Sequence, residues 1–270
     1  MYKQNLHTHT TICDGKDSPE DIVKCAIELG FNSIGFSTHT PLPFDTGYPL
    51  PEIDFCDYKK RISRLKKEYE GIIDIYTGIE FDLYSKADLN GYDYIIGTTH
   101  YLKKDNEYIG IDRSLEAVKE LIRTRYNGDG LALVKHYYQT LSDLPKYGKF
   151  DIVGHFDLIS KNIEFEKIFD IESSAYKNYA LDAIHTLHEK IKIFEVNTGA
   201  IARGYRTTPY PMPFILKELK KLGANITLSS DCHDKNYLDC YFNDAISYVK
   251  SCGFNKIYVL KGQEFVPEKI

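Results

Sequence analysis

The chain has 270 residues and a formal net charge of −5, with basic and acidic residues interspersed along it. That length suits one large α/β domain, and the even spread of charge gives no basic stripe that would bind nucleic acid. No apolar run approaches the roughly 18 residues of a membrane span, and the six cysteines form no C-x-x-C pair and follow no secretory leader. We therefore expect a cytoplasmic protein with reduced thiols, no membrane contact and no evident partner protein.

Short apolar runs that are rich in β-branched residues alternate along the chain with longer segments of helical periodicity. The first helix carries clear start signals, with Ser18 at the N-cap, Pro19 at the first helical position and two acids in the first turn. The predicted strands span residues 5–10, 33–38, 72–80, 92–99, 150–154, 191–196, 224–229 and 256–260. The predicted helices span residues 19–29, 58–69, 114–126, 130–144, 172–190, 213–222 and 239–252.

This alternation predicts parallel strands that are joined by right-handed helical crossovers. Seven or eight such units favour a closed barrel over an open doubly wound sheet. Since no linker or low-complexity tract divides the chain, we predict a single barrel domain over residues 1–270. Residues 40–57 form a long loop rich in proline and aromatic residues, and such loops inside a compact domain are usually functional. Phe44 and Tyr48 of this loop are candidates to wall a substrate pocket.

The segment from His7 to Gly15 carries the first candidate site. Residues two apart on an extended strand point to the same face, so the imidazoles of His7 and His9 share one side of the first strand. Asp14 follows in the turn, where its carboxylate can fold back toward both rings. Two imidazoles and a carboxylate are common ligands of a divalent transition metal, although the two histidines would also suit a solvated edge strand.

Histidine, aspartate and glutamate residues also lie at the ends of other predicted strands. In a β/α barrel the active site forms at the carboxyl ends of the strands, and six of the nine histidines occupy such positions. With three carboxylates they form a set that suits two or three metal ions: His7, His9, Asp14, His39, Glu80, His100, His155, Asp231 and His233. The histidines at positions 136, 185 and 188 are predicted surface or packing residues. Asp82 and Asp157 are either acceptors that orient ligand imidazoles or solvated acids.

Together, the motifs at these strand ends resemble one known family. H-x-H-x4-D-G opens the chain, and T-H-T-P, G-I-E-F-D, G-T-T-H, V-G-H-F-D and S-S-D-C-H follow. The set resembles the PHP (polymerase and histidinol phosphatase) family over about residues 5–240. The long segment after His100 and the E-V-N-T-G motif are similar to its histidinol-phosphate phosphatase branch. The resemblance implies a distorted (β/α)7 barrel with the metal site at the carboxyl ends of the strands, and a last strand, 256–260, outside the barrel.

The resemblance also implies a trinuclear centre of divalent ions such as Zn, Fe or Mn. One ion would be held by His7, His9, Glu80 and Asp231. A second would share Glu80 and add His100 and His155, and a third would be held by Asp14, His39 and His233. Such ions supply hydroxide near neutral pH and neutralise phosphoryl charge. We therefore predict direct hydrolysis of a phosphate monoester, with Asp231, Glu80 and His233 as the catalytic residues.

Contacts to the phosphate are expected from side chains that follow the later strands. A planar guanidinium pairs well with phosphate oxygens, and Arg203 and Arg206 follow the sixth predicted strand, with Arg203 nearer to its end. Ser160, after the fifth strand, is a candidate hydrogen-bond donor, and His39 is a further candidate contact. The resemblance implies L-histidinol phosphate as the small-molecule substrate, hydrolysed to L-histidinol and phosphate in histidine biosynthesis.

Two other functions stay open on the sequence alone. A nucleotide, oligonucleotide or phosphotyrosine phosphoesterase would use the same kind of metal site, although the negative charge disfavours an oligonucleotide. A metal-binding regulatory protein without turnover would be favoured by a missing ligand, and no ligand position departs from the family pattern.

Overall fold

The computed structural model describes residues 2–44 and 53–270, so Tyr48 of the predicted pocket wall lies outside the described residues. The strands are β1 (Gln4–Asn5), β2 (Ser33–His39), β3 (Asp74–Asp82), β4 (Tyr94–Thr98), β5 (Tyr101–Lys104), β6 (Glu107–Gly110), β7 (Ile152–Val153), β8 (Ile193–Asn197), β9 (Asn225–Ser229), β10 (Lys256–Lys261) and β11 (Glu264–Lys269). The helices are α1 (Pro19–Glu28), α2 (Phe55–Glu68), α3 (Leu115–Arg125), α4 (Gly130–Ser142), α5 (Ser174–His188), α6 (Gly199–Ala202), α7 (Pro213–Lys221) and α8 (Phe242–Ser251). Among the described residues, every helix is too short or too polar to cross a membrane.

Seven of the strands form one parallel sheet in the order β1-β2-β3-β4-β7-β8-β9. Beyond β1, Thr8 makes a parallel bridge with Cys232, which lies beyond β9. The N–H of His9 donates to the carbonyl of Cys232 at 2.8 Å, and the N–H of Cys232 donates to the carbonyl of His7 at 3.1 Å. The first and last strands of the sheet therefore meet. The sheet is nearly closed into a (β/α)7 barrel, and the predicted fold class is confirmed.

The barrel interior is apolar where the strands begin. Leu6, Tyr94 and Ile193 belong to a buried cluster that also contains Leu260 of β10. The side-chain amide of Gln4 donates to the Leu260 carbonyl and accepts from its N–H, both at 2.8 Å. The antiparallel hairpin β10-β11 therefore covers the amino-terminal end of the barrel without joining the seven-stranded sheet. The prediction that the last strand lies outside the barrel is confirmed, whereas β11 was not predicted.

The helices cover the outer face of the sheet because each buries one apolar stripe. In α1, Ile22, Val23 and Ala26 are fully buried at the spacing of one helix face, and burying a side chain such as Ile22 contributes roughly 1.5–3 kcal/mol. Ser18 caps this helix by accepting the N–H of Asp21 at 3.1 Å. The predicted start of the helix is therefore confirmed by its cap.

Other elements differ from the sequence-based prediction. The hairpin β5-β6 was not predicted. Asp105 and Asn106 both have positive φ (52° and 64°) in its two-residue turn, a conformation that these residue types tolerate. Helix α2 begins at Phe55, three residues before the predicted start, because the Asp54 carboxylate accepts the N–H of Cys56 at 2.8 Å and of Asp57 at 3.1 Å. The predicted 40–57 loop therefore overlaps the start of α2, and its residues 45–52 lie outside the described residues. The short helix α6 was also not predicted.

Candidate metal centre

The structure brings all nine predicted ligand side chains to the carboxyl-terminal end of the barrel. His39 is the last residue of β2 and lies in register with Glu80 of β3. His100 follows β4 and His155 follows β7, each at two residues beyond the strand. The others lie on the segments that extend β1 and β9: His7, His9, Asp14, Asp231 and His233. The parallel sheet is the reason, since it places the ends of neighbouring strands at one edge.

Glu80 lies at the centre of this set. Its Oε2 is 2.8 Å from Nδ1 of His39, 3.3 Å from Nε2 of His7 and 3.4 Å from Nε2 of His9. Its Oε1 is 3.1 Å from Nε2 of His155 and 3.7 Å from Nε2 of His100. The Glu80 side chain is only 1% exposed. A carboxylate that faces five imidazoles with its two oxygens is suited to bridge two cations.

The described side chains include three groups that could hold a metal ion. Within each group, the ligand atoms lie within 4.8 Å of one another. The groups are His7, His9 and Glu80; Glu80, His100 and His155; and His9, Asp14, His39 and His233. Asp231 lies beside the first group, with Oδ1 at 3.3 Å from Nε2 of His9 and 3.6 Å from Nε2 of His7. The groups correspond to the predicted ones with two exceptions, since His9 belongs to two groups and Asp231 to none. The assignment of ions to these residues stays a prediction.

Several of the facing atoms are buried and accept or donate no hydrogen bond among the described residues. They are Nε2 of His7, Nε2 of His9, Oε2 of Glu80 and Oδ1 of Asp14. Buried polar atoms are normally hydrogen-bonded, and a bound cation satisfies such lone pairs. Imidazole and carboxylate donors suit Zn, Fe and Mn. The chemistry of the donor set therefore fits divalent metal ions.

The turn after His9 positions Asp14 through Gly15. A Cβ on Gly15 would lie 2.5 Å from the carbonyl carbon of His9 and from the nitrogen of Thr10, so only glycine allows this close approach. The N–H of Gly15 donates to the Thr10 carbonyl at 3.0 Å. As a result, Asp14 Oδ2 lies 3.6 Å from Nε2 of His39 and 3.4 Å from Nε2 of His233.

Glu195 on β8 is a buried site residue that the sequence analysis did not identify. Its Oε1 lies 2.6 Å from Nδ1 of His7 and accepts from Ser229 Oγ at 2.5 Å, while Oε2 accepts from the N–H of His155 at 2.7 Å. Burial acts to raise the pKa of the Glu195 carboxyl, but His7 and these hydrogen bonds lower it below its ordinary value. Alternate residues of β8 face the barrel interior, beginning with Ile193. This period of two would have identified Glu195 as an inward-facing residue.

Asp82 holds His100 in the way that was predicted for an orienting acceptor. Its Oδ2 accepts the backbone N–H of His100 at 2.9 Å and lies 2.9 Å from Nδ1 of the same residue. Burial acts to lower the pKa of the His100 imidazole, but the hydrogen bond with Asp82 raises it to about 9. The contact directs Nε2 of His100 toward Glu80.

Asp157 differs from both of its predicted roles. The carboxylate is fully buried and accepts the N–H of Met212 at 3.1 Å, and its charged neighbour is Arg206, whose Nη1 lies 3.7 Å from Oδ2. Asp157 is therefore neither a solvated acid nor, among the described contacts, an acceptor for a ligand imidazole. The Asp157 side chain points into the protein interior, which the V-G-H-F-D motif does not indicate.

Of the predicted phosphate contacts, Arg203 lies at the open rim of the site. Its Nη1 and Nη2 donate to the carbonyl and to Oδ2 of Asp231, both at 3.0 Å, and Nη1 is 3.4 Å from Nδ1 of His233. The Arg203 side chain is 41% exposed, so it remains accessible to a ligand.

Arg206 and Ser160 lie away from the rim. The Arg206 side chain is 2% exposed, and its Nη1 donates to Ser160 Oγ at 2.5 Å. Ser160 is fully buried and donates its own proton to the carbonyl of Asp157 at 2.6 Å. In this arrangement the Ser160 hydroxyl and Nη1 of Arg206 are directed at protein partners. Contact of Ser160 and Arg206 with phosphate stays a prediction.

Three histidines lie outside the centre, as predicted. His185 Nε2 is 3.1 Å from Glu218 on the surface, and Nδ1 of His136 is 2.7 Å from the Tyr126 hydroxyl. His188 is on the last turn of α5. These three are confirmed as surface or packing residues.

Phe44 contributes to an aromatic wall beside the site. Its ring stacks on Tyr108 of β6 with centroids 3.6 Å apart, and it contacts Tyr101 of β5 edge-on at 5.2 Å. The segment after β2 and the hairpin β5-β6 therefore contact each other through these rings. Contact of Phe44 with a substrate stays a prediction.

Comparison with known proteins gives consistent matches. Residues 5–199 match the model of the PHP domain family. The chain is 28% identical over 257 residues to the histidinol-phosphatase of Bacillus subtilis, covering 86% of this chain and 94% of that protein. It is 27% identical over 262 residues to a protein of Schizosaccharomyces pombe named probable histidinol-phosphatase, covering 90% of this chain and 83% of that protein.

Among solved structures, the chain is similar to a histidinol phosphate phosphatase from Lactococcus lactis that was crystallised with zinc, L-histidinol and phosphate. The TM-score is 0.74 at 18% identity, and the match covers 98% of this chain and 99% of that one. At this identity the likeness shows a shared fold.

Proposed function

This chain belongs to the PHP domain family, and we propose that it is a metal-dependent histidinol-phosphatase that hydrolyses L-histidinol phosphate to L-histidinol and phosphate in histidine biosynthesis. The observation that carries the proposal is the buried Glu80 carboxylate facing five imidazoles, two of which present unpartnered Nε2 atoms. The names of the relatives from Bacillus subtilis and Schizosaccharomyces pombe support the choice of substrate. One domain over residues 1–270 and a cytoplasmic location belong to the same proposal, and six unpaired cysteines support the location.

The nine side chains would hold two or three divalent ions, with Zn, Fe and Mn as candidates. When bound, such ions make hydroxide available near neutral pH and neutralise charge on the phosphoryl oxygens. His7, His9, Glu80 and Asp231 would hold one ion, Glu80, His100 and His155 a second, and Asp14, His39 and His233 a third. Nε2 of His7 and of His100 point toward Glu80 because Glu195 and Asp82 occupy the Nδ1 atoms of these two rings.

Arg203 connects this centre to the phosphate. It holds Asp231 by both the carbonyl and Oδ2, and Asp231 needs this support because its backbone has a left-handed φ of 47°. Oδ1 of Asp231 is thereby turned toward His7 and His9. Within residues 2–44 and 53–270, Nε–H of Arg203 makes no hydrogen bond and Nη2 makes one, to Asp231, so this edge of the guanidinium can donate to two phosphate oxygens. Asp231, Glu80 and His233 are the proposed catalytic residues, and His39 a proposed contact of the phosphate.

The test is phosphate release from L-histidinol phosphate beside phenyl phosphate, a nucleoside monophosphate, phosphotyrosine and a short oligonucleotide, each with and without chelator. We expect a strong preference for L-histidinol phosphate that chelation abolishes and Mn or Zn restores. Metal-dependent release from other esters alone would leave the site in place and discard the substrate. Metal binding without any release would favour a regulatory protein.

A further inference from the structure

Asp112 lies where the hairpin β5-β6 returns to the barrel. The N–H of its neighbour Ile111 donates to the carbonyl of His100 at 2.9 Å, which anchors this segment to one proposed metal ligand. On its other side, Lys161 Nζ donates to Asp112 Oδ1 at 2.6 Å, and the side-chain amide of Asn162 donates to the carbonyl of Arg113 at 3.1 Å. Asp112 therefore bridges the segment after β4 and the loop that follows His155 of β7.

The Asp112 carboxylate differs from the other acids around the centre in being open to solvent. Its side chain is 41% exposed, against 1% for Glu80, 6% for Asp82 and 10% for Asp231. Oδ1 accepts from Lys161, and within residues 2–44 and 53–270 no donor is hydrogen-bonded to Oδ2. A ligand can therefore reach the carboxylate of Asp112.

Asp112 is ionised, and its neighbour Ile111 is hydrogen-bonded to His100 of the proposed metal centre. Partial burial acts to raise the pKa of its carboxyl, but Lys161, His100 and Arg203 lower that pKa below its ordinary value. His100 belongs to the proposed metal centre, and Arg203 is the proposed phosphate contact. A negative charge within electrostatic range of both is unfavourable for a second anion and favourable for a cation.

We propose that Asp112 is a specificity-determining residue that binds a cationic group, an ammonium or imidazolium, on the leaving alcohol of the substrate. The inference rests on the proposed function, because L-histidinol phosphate carries an anionic phosphate and a cationic amine in one small molecule. The phosphate end meets the metal ligands and Arg203, and the amine end meets Oδ2 of Asp112. Lys161 pairs with Oδ1 of the ionised carboxylate and leaves the second oxygen available.

Each product is expected to bind at one end of the site, phosphate beside the metal ligands and L-histidinol beside Asp112. Inhibition of the metal-loaded enzyme by each product separately is therefore the sharpest test. In Asp112→Asn we expect the inhibition constant of L-histidinol to rise about tenfold or more, the effect of losing a charge-assisted hydrogen bond, and that of inorganic phosphate to stay within about twofold. KM for L-histidinol phosphate should rise similarly, whereas kcat/KM for phenyl phosphate, which has no cation, should not fall. The matched control is Asp105→Asn, an acid on the tip of the same hairpin that is 76% exposed.

The outcomes distinguish this inference from the proposed function. A wild-type enzyme without preference for L-histidinol phosphate over phenyl phosphate would overturn the proposed function, and this inference with it. A selective wild type whose Asp112→Asn variant binds L-histidinol as tightly would overturn the inference alone. Equal increases in the inhibition constants of both products, or equal decreases in kcat/KM for both esters, would assign Asp112 a structural role. If Asp112→Asn does not fold, Asp112→Glu keeps the charge at a new distance and should change the L-histidinol constant while leaving that of phosphate unchanged.

Discussion

Oε1 of Glu195 lies 2.6 Å from Nδ1 of His7, and both side chains are buried. This hydrogen bond places the proton of the imidazole on Nδ1 and leaves the lone pair of Nε2 directed at Glu80 and Asp231. The same carboxylate accepts Ser229 Oγ and the N–H of His155, so one side chain on β8 fixes the extension of β1, the end of β9 and the residue after β7. Glu195 is therefore a positioning residue for the centre.

Replacing Glu195 by Gln should weaken metal retention about 10- to 100-fold, the usual effect of losing an acceptor behind a ligand imidazole. Four donors share the Glu195 carboxylate, because the side-chain amide of Asn197 also donates to Oε2 at 3.0 Å. Gln presents one oxygen to these four donors, and its own NH₂ group must face at least one of them. The measurement is competition for the metal with a chelator, read by metal content after dialysis. Glu218→Gln, which alters an acid beside His185 on the surface, is the control. Unchanged retention in Glu195→Gln would remove the positioning role.

Metal removal should destabilise the protein because the unpartnered atoms of His7, His9 and Glu80 are buried. A ligand that binds only the native state stabilises it by about 2.7 kcal/mol at a free concentration one hundred times its Kd. We expect the free energy of unfolding in urea to fall by about this amount when chelator replaces Zn or Mn. His9→Gln should largely remove the metal-dependent difference, and His185→Gln should retain it. An identical unfolding curve with and without metal would argue against a site at these residues.

The ligand set could be predicted because parallel strands place their carboxyl ends at one edge, so side chains far apart in the sequence are brought together by topology alone. Glu195 was missed because it lies inside a strand, where only the alternation of inward and outward positions identifies it. The burial of Ser160 and Arg206 was not predicted, for a related reason. Position after a strand predicts proximity to the site, whereas the direction of a loop side chain depends on tertiary contacts such as the hydrogen bond between these two residues.

Arg203→Ala should raise KM for phosphate monoesters and the inhibition constant of inorganic phosphate by about tenfold or more, because a charge-assisted hydrogen bond contributes roughly 1.5–3 kcal/mol. Arg203→Lys should restore only part of this, since an ammonium lacks the planar fork that also holds Asp231. Steady-state kinetics at saturating metal measure both constants. Arg123→Ala, which removes a 71% exposed arginine of α3, is the matched control. Constants equal to those of the wild type would exclude Arg203 from the phosphate site.

Arg206 should matter for stability instead. Its guanidinium lies 3.7 Å from Asp157 and over the ring of Tyr210, with Cζ 4.5 Å from the ring centroid. Breaking a buried pair on one side leaves an uncompensated charge and costs about 3–5 kcal/mol. Urea unfolding of Arg206→Met should show a loss of that order, and the double variant with Asp157→Asn should lose less than the sum of the two single variants.

The pH dependence of Arg206→Met gives a separate test of the buried pair. Burial raises the pKa of the Asp157 carboxyl above its ordinary value even though Arg206 lowers it in part, so removing Arg206 should raise that pKa further. A group whose native pKa exceeds its unfolded pKa binds protons more tightly in the native state, and its favourable contribution is lost as pH rises through the native value. The destabilisation of Arg206→Met relative to wild type should therefore be larger at pH 8 than at pH 5 in urea unfolding. If Arg206→Met lowers the free energy of unfolding by the same amount at both pH values, Asp157 does not carry the uncompensated charge.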